Sequence, residues 1–348
     1  MVKNFLVTLA AAVAGGLLFY SVHSPLPWML GPLTAVIVLG RVAPARVCWP
    51  VKLRNAGLMV LGHIMGRPFT AAVGLYILSQ IHLMLGMTVV LILASVAAGY
   101  ITHRQTGLSL ATCVLATVPG GLSQMVVLGE EIAGADATVV TVMQTIRMLS
   151  AVFTVPFLVT HGLSAGGAAG PAAAAVPAVA DPAAALPYIA AVVVGALLAA
   201  RLGFPTPYLL GPVLATAPLV VAGFPPPVVP QPLLNAAQIA VGAYMGSAID
   251  FAGSGKWRKI LAYTFANVAV LLVVSLLIGY GLAAAIPTSG ATAFLSAAPG
   301  GMAEMGLTAI LVGGDVSVVV GYHMFRLLFI LIILPPLLRR WLGEGRNP

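Results

Sequence analysis

From Phe5 to Trp341, apolar runs follow one another with little between them. Each is close to the stretch of about 20 residues that crosses the hydrocarbon core of a bilayer as a helix. This feature limits the chain more than any motif, because lipid offers no water to the backbone and leaves the helix as the default way to pair every N–H and C=O. The 60% hydrophobic and 7% charged residues, with a mean hydropathy of +1.07, exclude an ordinary soluble globule. The sequence therefore predicts an all-α polytopic membrane protein whose first partner is the lipid bilayer. A net charge of +8 would elsewhere suggest nucleic acid. Here the basic residues stand singly or in small groups beside apolar runs, which reads as topology signal and not as a nucleic-acid surface. Cys48 and Cys113 form no framework or metal spacing. The first run, near residues 4–21, resembles a signal peptide, but Ala14-Gly-Gly-Leu-Leu18 has a counterpart in Val194-Gly-Ala-Leu-Leu198, so we read it as a retained helix.

That counterpart belongs to a longer duplication at a spacing of 180 residues. Pro25-Leu-Pro-Trp-Met-Leu-Gly-Pro32 matches Pro205-Thr-Pro-Tyr-Leu-Leu-Gly-Pro212, and Asn55, Gly62, Met65 and Gly66 match Asn235, Gly242, Met245 and Gly246. Pro119-Gly120-Gly121, followed by Ser123 and Gln124, matches Pro299-Gly300-Gly301, followed by Ala303 and Glu304. Thereafter the spacing is 179: Asp136, Arg147 and Pro156 match Asp315, Arg326 and Pro335. Repeat 1 covers residues 1–161 and repeat 2 residues 187–348, joined by an Ala/Gly/Pro linker over 162–186. Each repeat reads as six apolar segments, near 4–21, 27–44, 52–67, 76–102, 108–129 and 137–160, then 184–201, 207–223, 232–248, 260–286, 290–312 and 316–338.

Charge placement relates the repeats to each other. Arg41, Arg46, Lys52 and Arg54, then His103 and Arg104, follow the second and fourth segments of repeat 1; Arg201, then Lys256, Arg258 and Lys259, follow the first and third of repeat 2. With basic loops on the cytoplasmic side, each repeat crosses an odd number of times, and one segment of six enters and returns. The Pro-Gly-Gly segments are the natural choice, since proline and glycine interrupt helices. The expected fold is thus two inverted-topology repeats, each of five spanning helices plus one broken or re-entrant helix, in a multi-pass cytoplasmic-membrane protein with both termini inside. Helices broken but fully crossing are the alternative. Paired breaks in two halves point to a transporter-type binding site.

Polar residues within the apolar segments supply the candidate site. Arg147 and Arg326 occupy the same place in the sixth segments, each with a polar neighbour three residues earlier on the same face, Gln144 and His323. An intramembrane arginine is costly and by default a functional hypothesis; pinning two helices together or snorkelling to an interface is the alternative. Glu304, with Gln124 as its counterpart, follows the second break and could hold a coupling proton or sodium, or serve as a structural partner. The expected substrate-binding set is Pro119, Gly120, Gly121, Ser123, Gln124, Arg147, Pro299, Gly300, Gly301, Glu304, His323 and Arg326, with no catalytic group, no metal ligand and no cofactor. Asp136 and Asp315 are expected as N-caps, Asn55 and Asn235 as caps or interhelical partners, and Glu130 and Glu131 as solvated.

The duplicated pattern, with Pro27-Trp-Met-Leu-Gly-Pro32, Pro207-Tyr-Leu-Leu-Gly-Pro212, Asn55 to Gly66, Asn235 to Gly246 and the two Pro-Gly-Gly blocks, resembles the AbrB family of bacterial inner-membrane proteins. Its members carry names that disagree, including regulator of gene expression and ammonia monooxygenase, and it is distinct from the small soluble DNA-binding regulator of the same name. The resemblance implies a bacterial inner-membrane location and carries no catalytic residues with it. An oxygenase would need clustered imidazoles for a redox metal, and His23, His63, His82, His103 and His161 are scattered. Direct gene regulation would need a soluble DNA-reading module; regulation by an indirect membrane route stays open. Transport of a small solute, anionic given the arginines and half-helix N-termini, is the reading that accounts for duplication, inversion and paired breaks together.

Overall fold

The computed structural model describes residues 2–43, 47–120, 122–132, 134–163, 182–204, 206–248 and 257–343; the side chains of residues 122–124, 182–184, 257, 258, 339, 342 and 343 lie outside that description. The fold is all-helical. Repeat 1 holds α1 (Val2–Ser21), α2 (Pro27–Val42), α3 (Val51–Gly66), α4 (Ala71–Ser79), α5 (Ile81–Thr106), α6 (Leu110–Thr117), α7 (Leu122–Glu131) and α8 (Ala137–Leu158), which runs on through a π turn to Leu163. Repeat 2 holds α9 (Pro182–Arg201), α10 (Pro207–Val221), α11 (Gln231–Ser247), α12 (Trp257–Ala285), α13 (Gly290–Ala297), α14 (Met302–Leu311), α15 (Val316–Ile332) and α16 (Leu334–Gly343).

Among the described residues, four helices are long and apolar enough to cross a membrane: Val2–Ser21, Ile81–Thr106, Ala137–Leu163 and Lys259–Ala285. The pair α3 and α4 passes the same test jointly but bends by 87° at its break. Pro68 cannot continue α3, and Thr70 opens α4 by accepting the Val73 N–H on its hydroxyl. The sequence pattern places one segment near residues 76–102; the structure instead has a separate short α4 ending at Ser79, and the break at Gln80 carries neither proline nor glycine to announce it. The expected segment at 316–338 likewise divides at Ile333 into α15 and α16.

Helix starts recur in register across the two halves. Pro27 and Pro207 each sit at the first helical position, where a missing N–H costs nothing. The residue before each is left-handed, Leu26 at φ 47° and Thr206 at φ 43°, which no β-carbon favours and which the structure holds in both places. Ser109 and Ser289 cap α6 and α13 by accepting from Thr112 N and Thr292 N, at 3.1 Å each. Asp136 and Asp315 cap α8 and α15 as their positions predict.

Packing divides the molecule into two bodies. In the first, α1 lies on α2 and α9 on α10, while α2 packs on α11 and α3 on both α10 and α11. Its core is mainly apolar, with Met29, Leu30, Leu33, Leu61, Met65 and Leu210 fully buried, and includes one buried polar pair between α3 and α10, His63 Nδ1 and Thr216 Oγ1 at 3.1 Å. Glycines let the backbones touch: a β-carbon on Gly31 would strike the Gly15 carbonyl, and one on Gly211 the Gly195 carbonyl. Between the halves, a β-carbon on Gly62 would strike the Leu209 carbonyl and one on Gly242 the Met29 carbonyl. Gly66 faces Val213 and Thr216 just as Gly246 faces Leu33 and Val36. The second body gathers α5 to α8 with α12 to α15, joined to the first chiefly where α14 and α15 rest on α3.

These contacts set the cost of adding a methyl group. Gly31→Ala and Gly211→Ala should each lower stability by about 1–3 kcal/mol, the usual penalty of overpacking. Gly86→Ala in α5, where a β-carbon meets nothing within 4 Å, should be neutral or stabilising by up to about 1 kcal/mol. Thermal unfolding of the purified variants in detergent measures both.

Candidate functional site

The site is built where helices stop. α6 ends at Thr117 and α7 begins at Leu122; α13 ends at Ala297 and α14 begins at Met302. Pro119 and Pro299 forbid continuation, so the last carbonyls of α6 and α13 lose their helical donors. In an apolar surrounding each such carbonyl must find another.

In repeat 1 the donor is Gln144 from α8. Its Nε2 donates to Leu115 O at 2.7 Å and to Val118 O at 2.9 Å, while its Oε1 accepts from Arg147 Nη2 at 2.6 Å. In repeat 2 the same work falls to His323 and Arg326 from α15. His323 Nε2 bonds Leu295 O at 2.9 Å, the position 180 residues from Leu115. Arg326 Nη1 donates to Ala297 O at 3.1 Å, and Nη2 to Gly300 O at 3.3 Å and to His323 Nδ1 at 2.9 Å. An arginine only donates and a carbonyl only accepts, so His323 carries its proton on Nε2. Each arginine thus stands behind a broken helix, tied to it through the polar residue one turn earlier.

Long helices clamp the same ends from the other side. Thr117 Oγ1 donates to Ser95 O on α5 at 2.8 Å, and Ser275 Oγ on α12 donates to Ala297 O at 3.0 Å. Donor and acceptor have changed places between equivalent pairs. Gly99 and Gly279 let these long helices reach the backbones of α6 and α13. Beyond the breaks, Asp136 N donates to Thr112 Oγ1 at 2.9 Å and Asp315 N to Thr292 Oγ1 at 3.0 Å, closing each α6–α7 and α13–α14 unit at its open end.

At the tips, Met125 and Met305 fold under Gly120 and Gly300, where a β-carbon would strike their methyl ends. Glu304 stands in the first turn of α14, 7% exposed, with its carboxylate turned back over Gly301; a β-carbon on Gly301 would fall on it. That carboxylate sits at the positive end of the α14 dipole. Of the expected set, Arg147 reaches the break at Pro119 and Gly120 only through Gln144, which holds the adjoining Val118 O, while in the other half Arg326 holds Gly300 O and His323, and Glu304 lies over Gly301 beside Pro299. Gly121 and the side chains of Ser123 and Gln124 lie outside the described residues.

The charges are unusual. Arg147 is 8% and Arg326 5% exposed, and among the described residues neither has a carboxylate within ion-pair distance. Arg147 Nε is buried without a partner. The two guanidinium groups, one from each half, are near enough for their charges to act on each other. Two like charges held this way are costly, and an anion between them would relieve the cost. Sequence reasoning found the arginines and their neighbours but not what they hold. The signal for it was the glutamine or histidine three residues before each arginine. Ser95, Ser275 and the Ser-x-x-Thr openings of α6 and α13 were missed. Asn55 and Asn235, among the described residues, make local bonds, accepting from Arg54 at 3.1 Å and from Gln231 at 2.9 Å. Glu130 and Glu131 are exposed.

Fold and site together define an all-helical protein with membrane-type helices and two broken-helix units backed by buried arginines. The chain belongs to the family described as transition state regulatory protein AbrB, which matches residues 28–342. It is similar to "Uncharacterized protein YhjN" of Bacillus subtilis (strain 168), 28% identical over 95% of this chain and 91% of that protein. It is also similar to "Putative regulator AbrB" of Escherichia coli (strain K12), 25% identical over 92% of this chain and 91% of that one.

The shared carbonyl-holding role makes an exchange test. Gln144→Leu removes the side-chain donor to Leu115 O and Val118 O and the acceptor of Arg147, and His323→Leu the donor to Leu295 O and one of the three partners of Arg326, at about 1–3 kcal/mol per group left unsatisfied. Gln144→His and His323→Gln, which install the other half's solution, should recover much of that loss in thermal unfolding. Equal destabilisation by leucine and by the exchanged residue would show that these bonds do not hold the breaks.

Proposed function

We propose that the chain is a secondary transporter for a small anionic solute, bound between the tips of the two broken helices. The observation that carries this reading is the pair of buried, carboxylate-free guanidinium groups, contributed one by each half and within electrostatic reach of each other. A protein that only needed to brace two breaks would be served by neutral donors, as Gln144 serves in repeat 1. Permanent positive charge adds affinity for an anion, and the N-termini of α7 and α14 add dipole ends of the same sign. Glu304 fits this scheme as a coupling group. While ionised it occupies the α14 N-terminus that a substrate anion would otherwise use, so uptake of a proton or sodium there opens the place for the solute. No catalytic group and no cofactor beyond that ion enter the scheme.

The repeats are, on this proposal, inverted, each with five spanning helices and a re-entrant hairpin, α6–α7 or α13–α14. The body of α5 to α8 and α12 to α15 moves against the glycine-packed body to expose the site alternately. The protein lies in the bacterial cytoplasmic membrane with both termini inside and the linker outside. A second reading, indirect action on gene expression from the membrane, is favoured by the family description and by the name of the Escherichia coli relative.

Two experiments test the proposal. A thermal-shift screen of the purified protein against small organic anions, with and without sodium and across pH, should reveal a stabilising ligand. Arg147→Gln and Arg326→Gln should each weaken that ligand about tenfold or more, the worth of a charge-assisted hydrogen bond, and Glu304→Gln should change its pH or sodium dependence. Unaltered binding in all three variants would remove the site from this place. For the topology, a single cysteine at Ala174, with Cys48 and Cys113 replaced, should react with an impermeant thiol reagent from outside intact cells, and one at Gly345 should not. Labelling of both from one side would end the inverted arrangement.

A further inference from the structure

Asp315 has a second oxygen that capping does not use. Its Oδ1 accepts from Ser317 N at 3.1 Å, Ser317 Oγ at 2.6 Å and Val318 N at 3.2 Å. Its Oδ2 is buried and without a partner, on a residue only 4% exposed. The counterpart in repeat 1, Asp136, caps in the same way but is exposed. Capping therefore does not require burial, and repeat 2 has enclosed its carboxylate for another reason.

The enclosure is polar, and it is underfilled. Tyr76, on α4, lies within electrostatic reach of Asp315; its buried hydroxyl makes no well-formed hydrogen bond, although the Gln80 side chain stands close enough to act on it. Gln80, at the corner between α4 and α5, is 3% exposed; its Oε1 accepts from the Tyr322 hydroxyl at 2.7 Å, and its Nε2 is buried and unpaired. Tyr322 stands seven residues after Asp315, two turns along the same face of α15. α4 is seated on this face, with Ile77 Cδ1 3.1 Å from where a β-carbon on Gly321 would be. Asp315 thus has Tyr76 of α4 within electrostatic reach and Thr292 of α13 on its backbone N–H, with Gln80 and Tyr322 adjoining Tyr76, and among the described residues no basic side chain lies within ion-pair distance of it.

Buried polar atoms are nearly always paired, so an uncompensated carboxylate oxygen, with two more unpaired polar atoms on Tyr76 and Gln80, marks a place for something the chain itself does not supply. The ligands on offer are a carboxylate, a hydroxyl and an amide that presents either its oxygen or its nitrogen according to rotation. Hard oxygen donors with a single negative charge suit a small cation of charge +1. We propose that Asp315 Oδ2, Tyr76 and Gln80 form a buried site for a monovalent cation, a sodium ion or a proton, present in repeat 2 alone. The site does not depend on what the chain transports, and it is separate from Glu304, which lies in the first turn of α14.

The test is thermal unfolding of the full-length protein in detergent without any organic solute, in sodium or choline chloride at equal ionic strength and at several pH values. Occupancy by sodium raises the midpoint by a few degrees over choline; occupancy by a proton raises it in choline as pH falls, since a folded state that binds the extra proton gains stability there. Asp315→Asn keeps a good N-cap and should abolish whichever response is seen. Tyr76→Phe should reduce it and Asp136→Asn should leave it, all variants being made on a Glu304→Gln background so that an ion at Glu304 does not contribute. Absence of both responses in the parent protein, or a response that survives Asp315→Asn, overturns the site. Because no organic solute is present and chloride is common to both salts, a negative screen of organic anions leaves this result standing, and the reverse holds too.

Discussion

The structure turns on what becomes of backbone carbonyls when a helix stops among apolar neighbours. A proline and two glycines interrupt α6 and α13, and the freed carbonyls at Leu115, Val118, Leu295, Ala297 and Gly300 are each claimed by a side chain from α8, α12 or α15. Where no backbone N–H substitutes, as at Leu115 O, loss of the side-chain donor would cost about 1–3 kcal/mol, whereas Val118 O and Leu295 O also accept from Gly120 N and Ala298 N. The arginines are the outer layer of this arrangement. Arg147 orients Gln144, and Arg326 fixes the tautomer of His323 while holding two carbonyls itself. Support for the break and positive charge beside it thus come from the same residues.

Much of this was legible in the sequence because it rests on residue types with few alternative uses. Proline and glycine at a constant spacing marked where helices open, break and touch, and the structure places Pro27, Pro207, Gly31, Gly211, Gly62 and Gly242 in those roles. The aspartates before Ala137 and Val316 were readable as caps for the same reason. The division at Gln80 was not readable, since Ser79-Gln80-Ile81 resembles any helical stretch and only tertiary packing stops α4 there. Nor could the sequence show that Gln144 and His323 do one job, because a glutamine and a histidine share little except the ability to donate to a carbonyl. The enclosure of Asp315 escaped for the same reason. Tyr76 and Gln80 are distant in sequence, and it is the 87° bend between α3 and α4 that accompanies their placement.

The two halves agree in their supports and differ in their polar detail. Thr117 donates where Ala297 has nothing to give, and Ser275 makes up the bond from the opposite helix. Repeat 1 uses a neutral amide between arginine and break; repeat 2 uses an imidazole and brings the arginine itself onto the backbone. Backbone geometry is held constant while side-chain chemistry has drifted, which is the expected division of labour when the fold constrains both halves and function needs them to differ.

The reciprocal glycine contacts have a meaning beyond close packing. Gly62 meets the backbone at Leu209 while Gly242 meets it at Met29, and Gly66 and Gly246 repeat the exchange one turn further on. Residue i of one half touches residue j of the other, and j's counterpart touches i's: the rule of an isologous interface between identical subunits. In a pair of identical subunits every one of these contacts would occur twice, with one sequence serving both sides. Within a single chain a substitution on either face has to satisfy only one partner surface, so each half can keep the shared scaffold while holding buried groups, such as the enclosed Asp315, that the other lacks.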